Sequence, residues 1–442
     1  MSGLFLSGTQ KSSGKTLVAT GLARALNGVR CFKKGPDYID PMWLRAASEN
    51  PVYNLDFNTQ TPDEITRFYR ERAGPAALIE GTKGLFDGVA TDGSDSNAAL
   101  AGLLDASVVL VVPSSGMTRG IAPLILGYQA FDPGVNLRGV ILNNVRGQRH
   151  ETKLRTAVET YTDLPVLGAL RQDETLSIEA RHLGLRTPVE NTNRQTLIDR
   201  LAAWVRNGTD IDQLGQLCRT GLAAPVTQPN PVADVRIGIA RDAAFSFYYE
   251  DDLEAFAKAG ARLVPFSPLS DQSLPDVDGL FLGGGFPEVQ AGRLAANAPM
   301  LRELKAKIDA GLPVYAECGG LMLLSRAIIW RGENLPMAGV IEADAVVHPR
   351  PQGRGYARFQ TLPGHPWDPP ADAVNAHEFH YARLENWGQR PKFSRRVARG
   401  SGIENGLDGL VINKLVAGFC HLRQTGQNDW VERFVSFVRG QT

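Results

Sequence analysis

Short apolar runs alternate with longer amphipathic segments along this chain, and the alternation begins twice. The first series of runs is 4–7, 76–80, 106–113 and 139–144, and the second is 235–240, 263–265, 279–282 and 313–316. Continuous apolar runs separated by helical periods are typical of parallel strands that helices cover on both faces. The chain is therefore predicted to form two doubly wound α/β domains.

A segment rich in Pro and Ala separates the two series. Residues 215–234 include AAPVTQPNPVAD and show little apolar periodicity, as is typical of an interdomain linker. The chain of 442 residues is long enough for two domains of ordinary size. We therefore predict an N-terminal domain at 1–214 and a C-terminal domain at 235–442.

Charge and cysteine usage exclude several classes of protein. Lys plus Arg and Asp plus Glu each number 47, so no global basic field exists to hold nucleic acid or an anionic membrane. The four cysteines form no CxxC pair, which argues against a zinc knuckle and a disulfide framework. The N-terminus runs directly into a strand, and no apolar stretch approaches ~18 residues. We expect a cytoplasmic protein without nucleic-acid or membrane partners.

A phosphate-binding loop follows the first apolar run. The sequence GTQKSSGKT at Gly8–Thr16 lies between a predicted strand and a predicted helix, so that backbone N–H groups converge on phosphate oxygens. In such a loop Lys15 reaches the β- and γ-phosphates and the Thr16 hydroxyl binds Mg²⁺. A chance glycine-rich turn is the alternative. We predict ATP and Mg²⁺ as cofactors, with nucleotide contacts from Gly8, Thr9, Ser13, Gly14, Lys15 and Thr16.

Four carboxylates follow strand-like segments of the first domain. Asp37 and Asp40 lie in FKKGPDYIDP, and Glu80 and Asp87 lie in EGTKGLFDG. The carboxyl ends of parallel strands face the crevice where ligands bind, and Mg²⁺ needs one or two carboxylates there. We predict Asp37 and Glu80 as metal ligands beside Thr16, and Asp40 and Asp87 as catalytic residues. Turn chemistry for the Asp pair and a helix cap at Glu80 are the alternatives.

A reactive-cysteine turn lies in the second domain. In YAECGG at 315–320, Cys318 stands at a predicted strand-to-helix turn beside free backbone donors, which favours a nucleophilic thiol. The run LGGGFPE at 282–288 supplies a second glycine loop after a strand. We predict an oxyanion hole from Gly284, Gly285 and Gly319.

The general base for this cysteine is predicted to be His421. A catalytic histidine is usually distant from its cysteine in sequence and close in space. Of the seven histidines, His421 follows a long apolar segment, in GFCHLR. Glutaminases of this type often carry an acidic residue two positions after the histidine, whereas this chain has Arg423. The partner that orients His421 is left open at this point.

Two further histidines, His377 and His380, lie in HEFHY. Their spacing is one residue short of the HExxH zinc motif. The surrounding segment 347–387 is rich in proline and is predicted to lack regular elements. We predict that these histidines contact substrate or support the active site rather than bind zinc.

Together the motifs resemble those of the cobyrinic acid a,c-diamide synthase family. The matching sequences span nearly the whole chain: GTQKSSGKT, KKGPDYIDP, EGTKGLFDG, RHLGL (Arg181–Leu185), RDAAFSFYY (Arg241–Tyr249), LGGGFPE, YAECGG and HEFHY. The resemblance implies a dethiobiotin-synthetase-like ATP domain joined to a class I glutamine amidotransferase domain with a Cys-His pair.

The resemblance also implies the reaction. Cys318 and His421 would hydrolyse glutamine, and the ammonia would travel to the ATP domain. There ATP would phosphorylate the a and c acetates of a tetrapyrrole before ammonia attacks, with the four carboxylates serving metal, nucleotide or intermediate. We further predict substrate contacts from Lys34, Tyr38, Arg119, His377 and His380, and we expect a homodimer.

Some residues depart from the family pattern. Corrin-specific members often show a histidine shortly after GPDYIDP, whereas this chain has Trp43 and Leu44. Members also tend to read HLHF at the base, where this chain reads HLRQ, and PQGRGY at 351–356 is atypical. Related enzymes amidate the same acetates of sirohaem or nickel-sirohydrochlorin. These departures favour a sirohaem-type amidase over a cobyrinate enzyme.

Two alternatives share the fold. A nucleotide-switch ATPase of the ParA or MinD kind, with a non-catalytic C-terminal domain, would have a second lysine five residues before Lys15, where this chain has Gln10. A synthetase with an inactive glutaminase would use free ammonia. Cys318→Ala separates this last possibility from a working glutaminase.

Overall fold

The computed structural model describes residues 2–179, 181, 184–225, 229–367 and 372–441. The chain divides into two compact units, Met1–Thr227 and Gln228–Thr442. His182 and Leu183 of RHLGL, residues 226–228 of the linker, and residues 368–371 lie outside the described residues. Within the described ranges, no helix is both long enough and apolar enough to cross a membrane.

The first unit alternates strands with helices. Its elements are β1 Leu4–Gly8, α1 Lys15–Ala25, β2 Arg30–Lys34, α2 Ile39–Ser48, β3 Val52–Leu55, α3 Pro62–Arg72, β4 Ala77–Gly84, α4 Asn97–Leu104, β5 Ser107–Pro113, α5 Ile121–Phe131, β6 Leu137–Val145, α6 Gln148–Tyr161, β7 Val166–Arg171, α7 Arg194–Gly208 and α8 Ile211–Leu217.

Seven parallel strands form the sheet of this unit, in the order β3-β2-β4-β1-β5-β6-β7. The central strands are fully buried because apolar side chains cover both faces, with Phe5, Ile79 and Leu110 on one face and Leu6 and Val109 on the other. The order places β1 between β4 and β5, so the loops after β1, β2 and β4 open at one edge of the sheet. Ligands bind at this edge in doubly wound folds.

The second unit has a more varied sheet structure. Its elements are β8 Val235–Ala240, β9 Phe245–Phe247, α9 Glu250–Lys258, β10 Ala261–Phe266, β11 Gly279–Leu282, β12 Gly284–Gly285, a 3-10 turn Pro287–Gln290, α10 Ala291–Ala296, α11 Ala298–Asp309, β13 Val314–Glu317, α12 Gly319–Leu324, β14 Ser325–Trp330, β15 Glu333–Pro336, β16 Ile341–Val347, β17 Gly353–Thr361, β18 Val374–His380, β19 Ala382–Glu385, β20 Lys392–Arg399, β21 Leu407–Ile412, β22 Leu415–Gly418 and α13 Trp430–Arg439.

A nine-stranded mixed sheet forms the core of this unit, in the order β10-β8-β11-β13-β22-β21-β20-β17-β18. The strands from β10 to β22 pair in parallel, and those from β22 to β18 pair antiparallel. A four-stranded sheet, β15-β14-β16-β19, and the pair β12-β9 complete the described strands. The predicted α/β class of both halves is confirmed.

The prediction that residues 347–387 lack regular elements is wrong. Strands β17, β18 and β19 lie within this range, and HEFHY is part of β18. The described prolines of the range stand outside these strands, where they cost no ladder hydrogen bond. Residues that alternate between core and solvent along β17 carry the strand signal instead.

Part of the predicted linker packs against the first unit. Helix α8 reaches Leu217, the backbone N–H of Ala77 donates to the Cys218 carbonyl at 2.8 Å, and that of Thr220 donates to the Pro75 carbonyl at 3.0 Å. The division between the units lies at Thr227 and Gln228. The domain limits 1–214 and 235–442 remain predictions.

Candidate active sites

The phosphate loop joins β1 to α1 at the ligand edge of the first sheet. Gly14 adopts a φ of 86°, and a Cβ there would lie 2.2 Å from Nδ2 of Asn143. That Nδ2 donates to the Ser13 carbonyl at 2.9 Å, so β6 holds the loop in shape. Helix α1 begins directly after the loop, and its first N–H groups, which have no intrahelical acceptors, can donate hydrogen bonds to a phosphate.

The Lys15 amino group points back over the loop and donates to the Gln10 carbonyl at 3.3 Å. Burial, together with the nearby charge of Lys33, lowers the pKa of Lys15 to about 8, although surrounding carboxylates act in the opposite direction. A bound triphosphate would favour the charged form by direct attraction. We therefore expect bound nucleotide to stabilise the charged form of Lys15.

A cluster of buried charges lies beside Lys15. Lys33 Nζ is 2.6 Å from Asp40 Oδ2 and 3.2 Å from Glu80 Oε1. The Thr16 hydroxyl donates to the same Glu80 oxygen at 2.8 Å. The structure thus brings Thr16, Asp40 and Glu80 together from α1, α2 and β4. Lys33 joins two of them through its ion pairs with Asp40 and Glu80.

Glu80 has the features of a metal ligand. Burial and the charge of Asp40 raise the pKa of Glu80 to about 7. Its second oxygen, Oε2, is buried and has no hydrogen-bond partner among the described residues. A buried carboxylate oxygen without a donor is costly unless a cation approaches it. The Thr16 hydroxyl donates to the other oxygen of this carboxylate, so the two predicted Mg²⁺ ligands are adjacent.

Asp37 and Asp87 are placed differently from Glu80. Asp37 Oδ1 accepts hydrogen bonds from the backbone of Ile39 and Asp40 at 2.8 and 3.0 Å, which stabilises the start of α2. Burial and the neighbouring Asp40 charge raise the pKa of Asp37 to about 6. Asp87 is exposed, and its Oδ2 accepts from Gly84 N at 2.9 Å. The turn role considered for Asp37 is thus observed, and metal binding by it remains a prediction.

The predicted substrate contacts of the first unit do not all gather at this cluster. Lys34 and Tyr38 are buried close to Lys33 and Asp40 in the chain. Arg119 is exposed before α5, where its guanidinium lies 5.0 Å from the centroid of the Tyr161 ring. None of the described contacts of Arg119 involves the acidic cluster.

Cys318 occupies a strained turn between β13 and α12. Its φ of 46° and ψ of −98° fall outside the regions that a residue with a side chain normally adopts. The Cys318 N–H donates to the Gly418 carbonyl at 2.8 Å, which anchors the turn to β22. Gly320 is required behind it, because a Cβ there would lie 2.2 Å from the Leu282 carbonyl oxygen. The fold thus holds the sulfur at the end of the parallel sheet.

The glycines predicted for the oxyanion hole are brought together. A Cβ on Gly319 would lie 3.1 Å from Gly285 N, and a Cβ on Gly284 would lie 2.8 Å from His421 Cε1. Gly319 is the first residue of α12, where N–H groups have no intrahelical acceptor. Both glycine turns therefore lie against the nucleophile and its histidine.

His421 lies between Cys318 and an acidic residue that sequence reasoning missed. Its Nδ1 is 3.4 Å from Glu317 Oε2. Burial acts to lower the pKa of His421, but hydrogen bonds to Cys318 and Glu317 outweigh it and raise the pKa to about 10. This arrangement favours the protonated form of the His421 ring.

Glu317 is itself held in place. Its Oε1 accepts hydrogen bonds from the Leu422 N–H and the Tyr315 hydroxyl, each at 2.7 Å. The usual acidic position, two residues after the histidine, holds Arg423, which pairs with Asp251 at 2.9 Å. The only sequence signal for Glu317 was its place directly before the nucleophile at the end of a strand.

The two histidines of HEFHY point to different surroundings. The ring of His377 stacks on His421 with centroids 4.8 Å apart, and Nδ1 of His377 is 3.3 Å from the Tyr249 hydroxyl. His380 instead stacks on Phe419 with centroids 3.9 Å apart. Around these two histidines, the described residues include no group of three or more His, Cys, Asp or Glu side chains arranged to hold a metal ion. His377 thus lies against the predicted base, whereas His380 packs against Phe419, and a role for either in substrate binding remains a prediction.

Two family models match the chain, one within each unit. Residues 236–428 match a family described as CobB/CobQ-like glutamine amidotransferase domain, and residues 36–180 match one described as an AAA domain. A solved glutamine amidotransferase is similar at 16% identity and a TM-score of 0.33, covering 46% of this chain and 98% of that one. Fold, sites and family matches define a glutamine amidotransferase joined to an ATP-using domain.

Full-length relatives identify the family. The chain is 41% identical to a cobyrinate a,c-diamide synthase of Magnetococcus marinus, over 99% of this chain and 97% of the relative. It is 36% identical to one of Caldanaerobacter subterraneus subsp. tengcongensis, over 97% of each. The chain belongs to the cobyrinate a,c-diamide synthase family. It is a carbon–nitrogen ligase that uses glutamine as nitrogen donor, which excludes the nucleotide-switch alternative.

Proposed function

We propose that this protein converts the a and c acetates of a tetrapyrrole to amides, with ATP activating each carboxylate and glutamine supplying ammonia. The observation that carries the proposal is that one chain holds both a buried Lys15–Thr16–Glu80 cluster and a Cys318–His421 pair, and matches enzymes of that name over nearly its full length. The proposed reaction needs both sites, because one activates the carboxylate and the other supplies the ammonia.

Hydrolysis of glutamine is assigned to the second unit. His421 accepts the Cys318 proton, and the thiolate attacks the side-chain carbonyl of glutamine. The N–H groups of Gly285 and Gly319 stabilise the oxyanion, and His421 returns the proton to the leaving ammonia. Water then releases glutamate from the thioester. Glu317 keeps Nδ1 of His421 protonated throughout, so that the other ring nitrogen can accept the thiol proton.

Activation of the carboxylate is assigned to the first unit. The phosphate loop and Lys15 bind the triphosphate, and an acetate oxygen attacks the γ-phosphorus in line with departing ADP. Ammonia then attacks the acyl phosphate, the tetrahedral intermediate loses inorganic phosphate, and the amide remains. We assign to Asp40, whose Oδ2 lies 2.6 Å from Lys33 Nζ, the role of receiving the proton that ammonia loses.

The residues of this site fit Mg²⁺. The Thr16 hydroxyl and the unpartnered Oε2 of Glu80 would hold it, which satisfies a buried oxygen that otherwise lacks a donor. When bound, Mg²⁺ would neutralise charge on the β- and γ-phosphates. Asp37 is the weaker candidate ligand, because one of its oxygens already accepts two backbone hydrogen bonds.

We propose cobyrinate rather than sirohaem as the substrate, because the relatives that match over nearly the full length are cobyrinate a,c-diamide synthases. Two of the three departures that suggested sirohaem lie in the interior, whereas the third, PQGRGY, includes the exposed Arg354. Trp43 and Leu44 are fully buried, and Trp43 Nε1 donates to the Arg186 carbonyl at 3.0 Å. Arg423 of HLRQ is likewise buried against Asp251. Because such side chains cannot contact a macrocycle directly, they do not discriminate between corrin and isobacteriochlorin.

The test is product analysis with each macrocycle separately. Purified protein, ATP, Mg²⁺ and nitrogen-isotope-labelled glutamine are incubated with cobyrinate or with sirohaem, and products are examined by mass spectrometry. We expect two labelled amides on cobyrinate and none on sirohaem. The reverse result would place the protein in the sirohaem branch, and no amide on either would reject the proposed function.

A further inference from the structure

The first unit carries an exposed aromatic surface beside its phosphate loop. We call Phe86, Leu124, Tyr128 and Phe131 the aromatic platform. The last three are spaced i, i+4 and i+7 on α5 and so share one face of the helix. The Phe86 ring centroid lies 5.4 Å from that of Tyr128 and 4.7 Å from that of Phe131. Phe131 is 74% exposed and the others are half-buried.

The aromatic platform is joined to the phosphoryl-transfer residues. The Tyr128 hydroxyl donates to the Thr9 carbonyl of the phosphate loop at 2.6 Å. Phe86 directly precedes Asp87, whose carboxylate accepts from Gly84 N at 2.9 Å. A Cβ on Gly84 would in turn lie 2.9 Å from the Thr9 carbonyl oxygen. The aromatic platform therefore lies next to the phosphate loop, where the substrate carboxylate has to meet ATP.

The size and chemistry of the aromatic platform favour a flat ligand. Each aromatic side chain can bury at most about 250 Å², and three of the four are already half-buried. This surface falls short of the ~800 Å² per partner of a standard protein interface. It suits the offset stacking of a planar conjugated ring. Exposed Lys11 lies in the phosphate loop with Thr9, and exposed Lys83 lies near the end of β4, three residues before Phe86. Both can pair with carboxylates at the rim of such a ring.

We propose that the aromatic platform binds the face of the tetrapyrrole substrate and so presents an acetate to the phosphate loop. This inference rests on the proposed function, and it assigns the surface that recognises the macrocycle. The ring stacks on the exposed Phe131 and contacts the edge of Phe86, whose plane is tilted 54° from that of Phe131, while the reacting acetate reaches past Tyr128 toward Lys15.

The test compares Phe131→Ala and Phe86→Ala with the control Leu126→Ala. Leu126 is 42% exposed on the same helix, but it lies two residues from both Leu124 and Tyr128 and so on another side. The KM for whichever macrocycle the wild type amidates is measured at saturating ATP and glutamine. Loss of an aromatic contact is expected to raise this KM roughly 10- to 100-fold, with the KM values for ATP and glutamine unchanged.

Two results would overturn the proposal. One is a macrocycle KM for both Phe variants equal to that of Leu126→Ala. The other is conversion of a dimer to a monomer in sedimentation velocity by the Phe131 substitution, which would make the surface a contact between two copies of the chain. If the wild type amidates no tetrapyrrole, the proposed function itself fails; if it does and the variants match it, only the aromatic platform fails.

Discussion

Glu317→Gln is the sharpest test of the glutaminase site. Glu317 Oε1 accepts two hydrogen bonds, from the Leu422 N–H and the Tyr315 hydroxyl, both at 2.7 Å, whereas Oε2 faces His421 Nδ1 at 3.4 Å. Two fixed donors require an oxygen, so the introduced amide keeps its oxygen at the Oε1 position. Its NH₂ group must then face His421.

The expected consequence is the wrong tautomer of the catalytic histidine. An NH₂ group facing Nδ1 demands an acceptor there, so the ring proton moves to the nitrogen that faces Cys318. A histidine in that form cannot take the thiol proton. The same error in a Ser-His-Asp triad costs about 10⁴-fold in kcat. We expect a loss of about 10³- to 10⁴-fold in kcat/KM for glutamine, or about 4 to 5.5 kcal/mol of transition-state stabilisation.

The assay measures glutamate release and, in the same preparation, amidation with free ammonia. Ammonia-dependent amidation should stay at the wild-type rate, which shows that the first unit is intact. Glu333→Gln, an exposed position on β15, is the matched control and should change neither rate. If Glu317→Gln keeps more than about a tenth of the wild-type kcat/KM for glutamine, the tautomer reasoning is wrong.

Three further substitutions address the remaining chemistry. Cys318→Ala should abolish glutamate release and leave ammonia-dependent amidation unchanged, as followed by mass spectrometry of the product; surviving glutamine-dependent turnover would remove Cys318 as the nucleophile. Asp40→Asn should lower amidation at least about 100-fold while glutamine hydrolysis persists, because the two reactions occupy different units; normal amidation would remove its catalytic role. Burial and the charge of Asp40 raise the pKa of Glu80 to about 7 in the folded protein, from about 4.5 in the unfolded chain. Protonation of Glu80 therefore stabilises the folded state fully below about pH 4.5, and this stabilisation is lost as the pH rises through about 7. Without nucleotide and Mg²⁺, the Tm of the wild type should therefore fall between about pH 5 and about pH 8, and Glu80→Gln should make that fall smaller. Equal dependence of Tm on pH in the two proteins would contradict the raised pKa of Glu80.

Features encoded within a few consecutive residues could be read from the chain alone. The phosphate loop and the cysteine turn are local, because glycine at fixed positions permits the backbone that each requires, as Gly14 and Gly320 show. The α/β class was equally accessible, since buried parallel strands need continuous apolar runs. Strands β17 and β18 were missed because nearby prolines masked a short alternating pattern.

Contacts between distant segments needed the folded chain. Glu317 ends β13 and His421 follows β22; their pairing depends on the parallel register that sets Glu317 opposite Gly418. The residues around His421 give no sign that Glu317 is its partner. The position two residues after His421, where an acidic residue is usual, holds Arg423. Packing likewise decided that Trp43 faces the core and that Phe131 faces solvent, because burial depends on which elements lie opposite a side chain rather than on its chemistry.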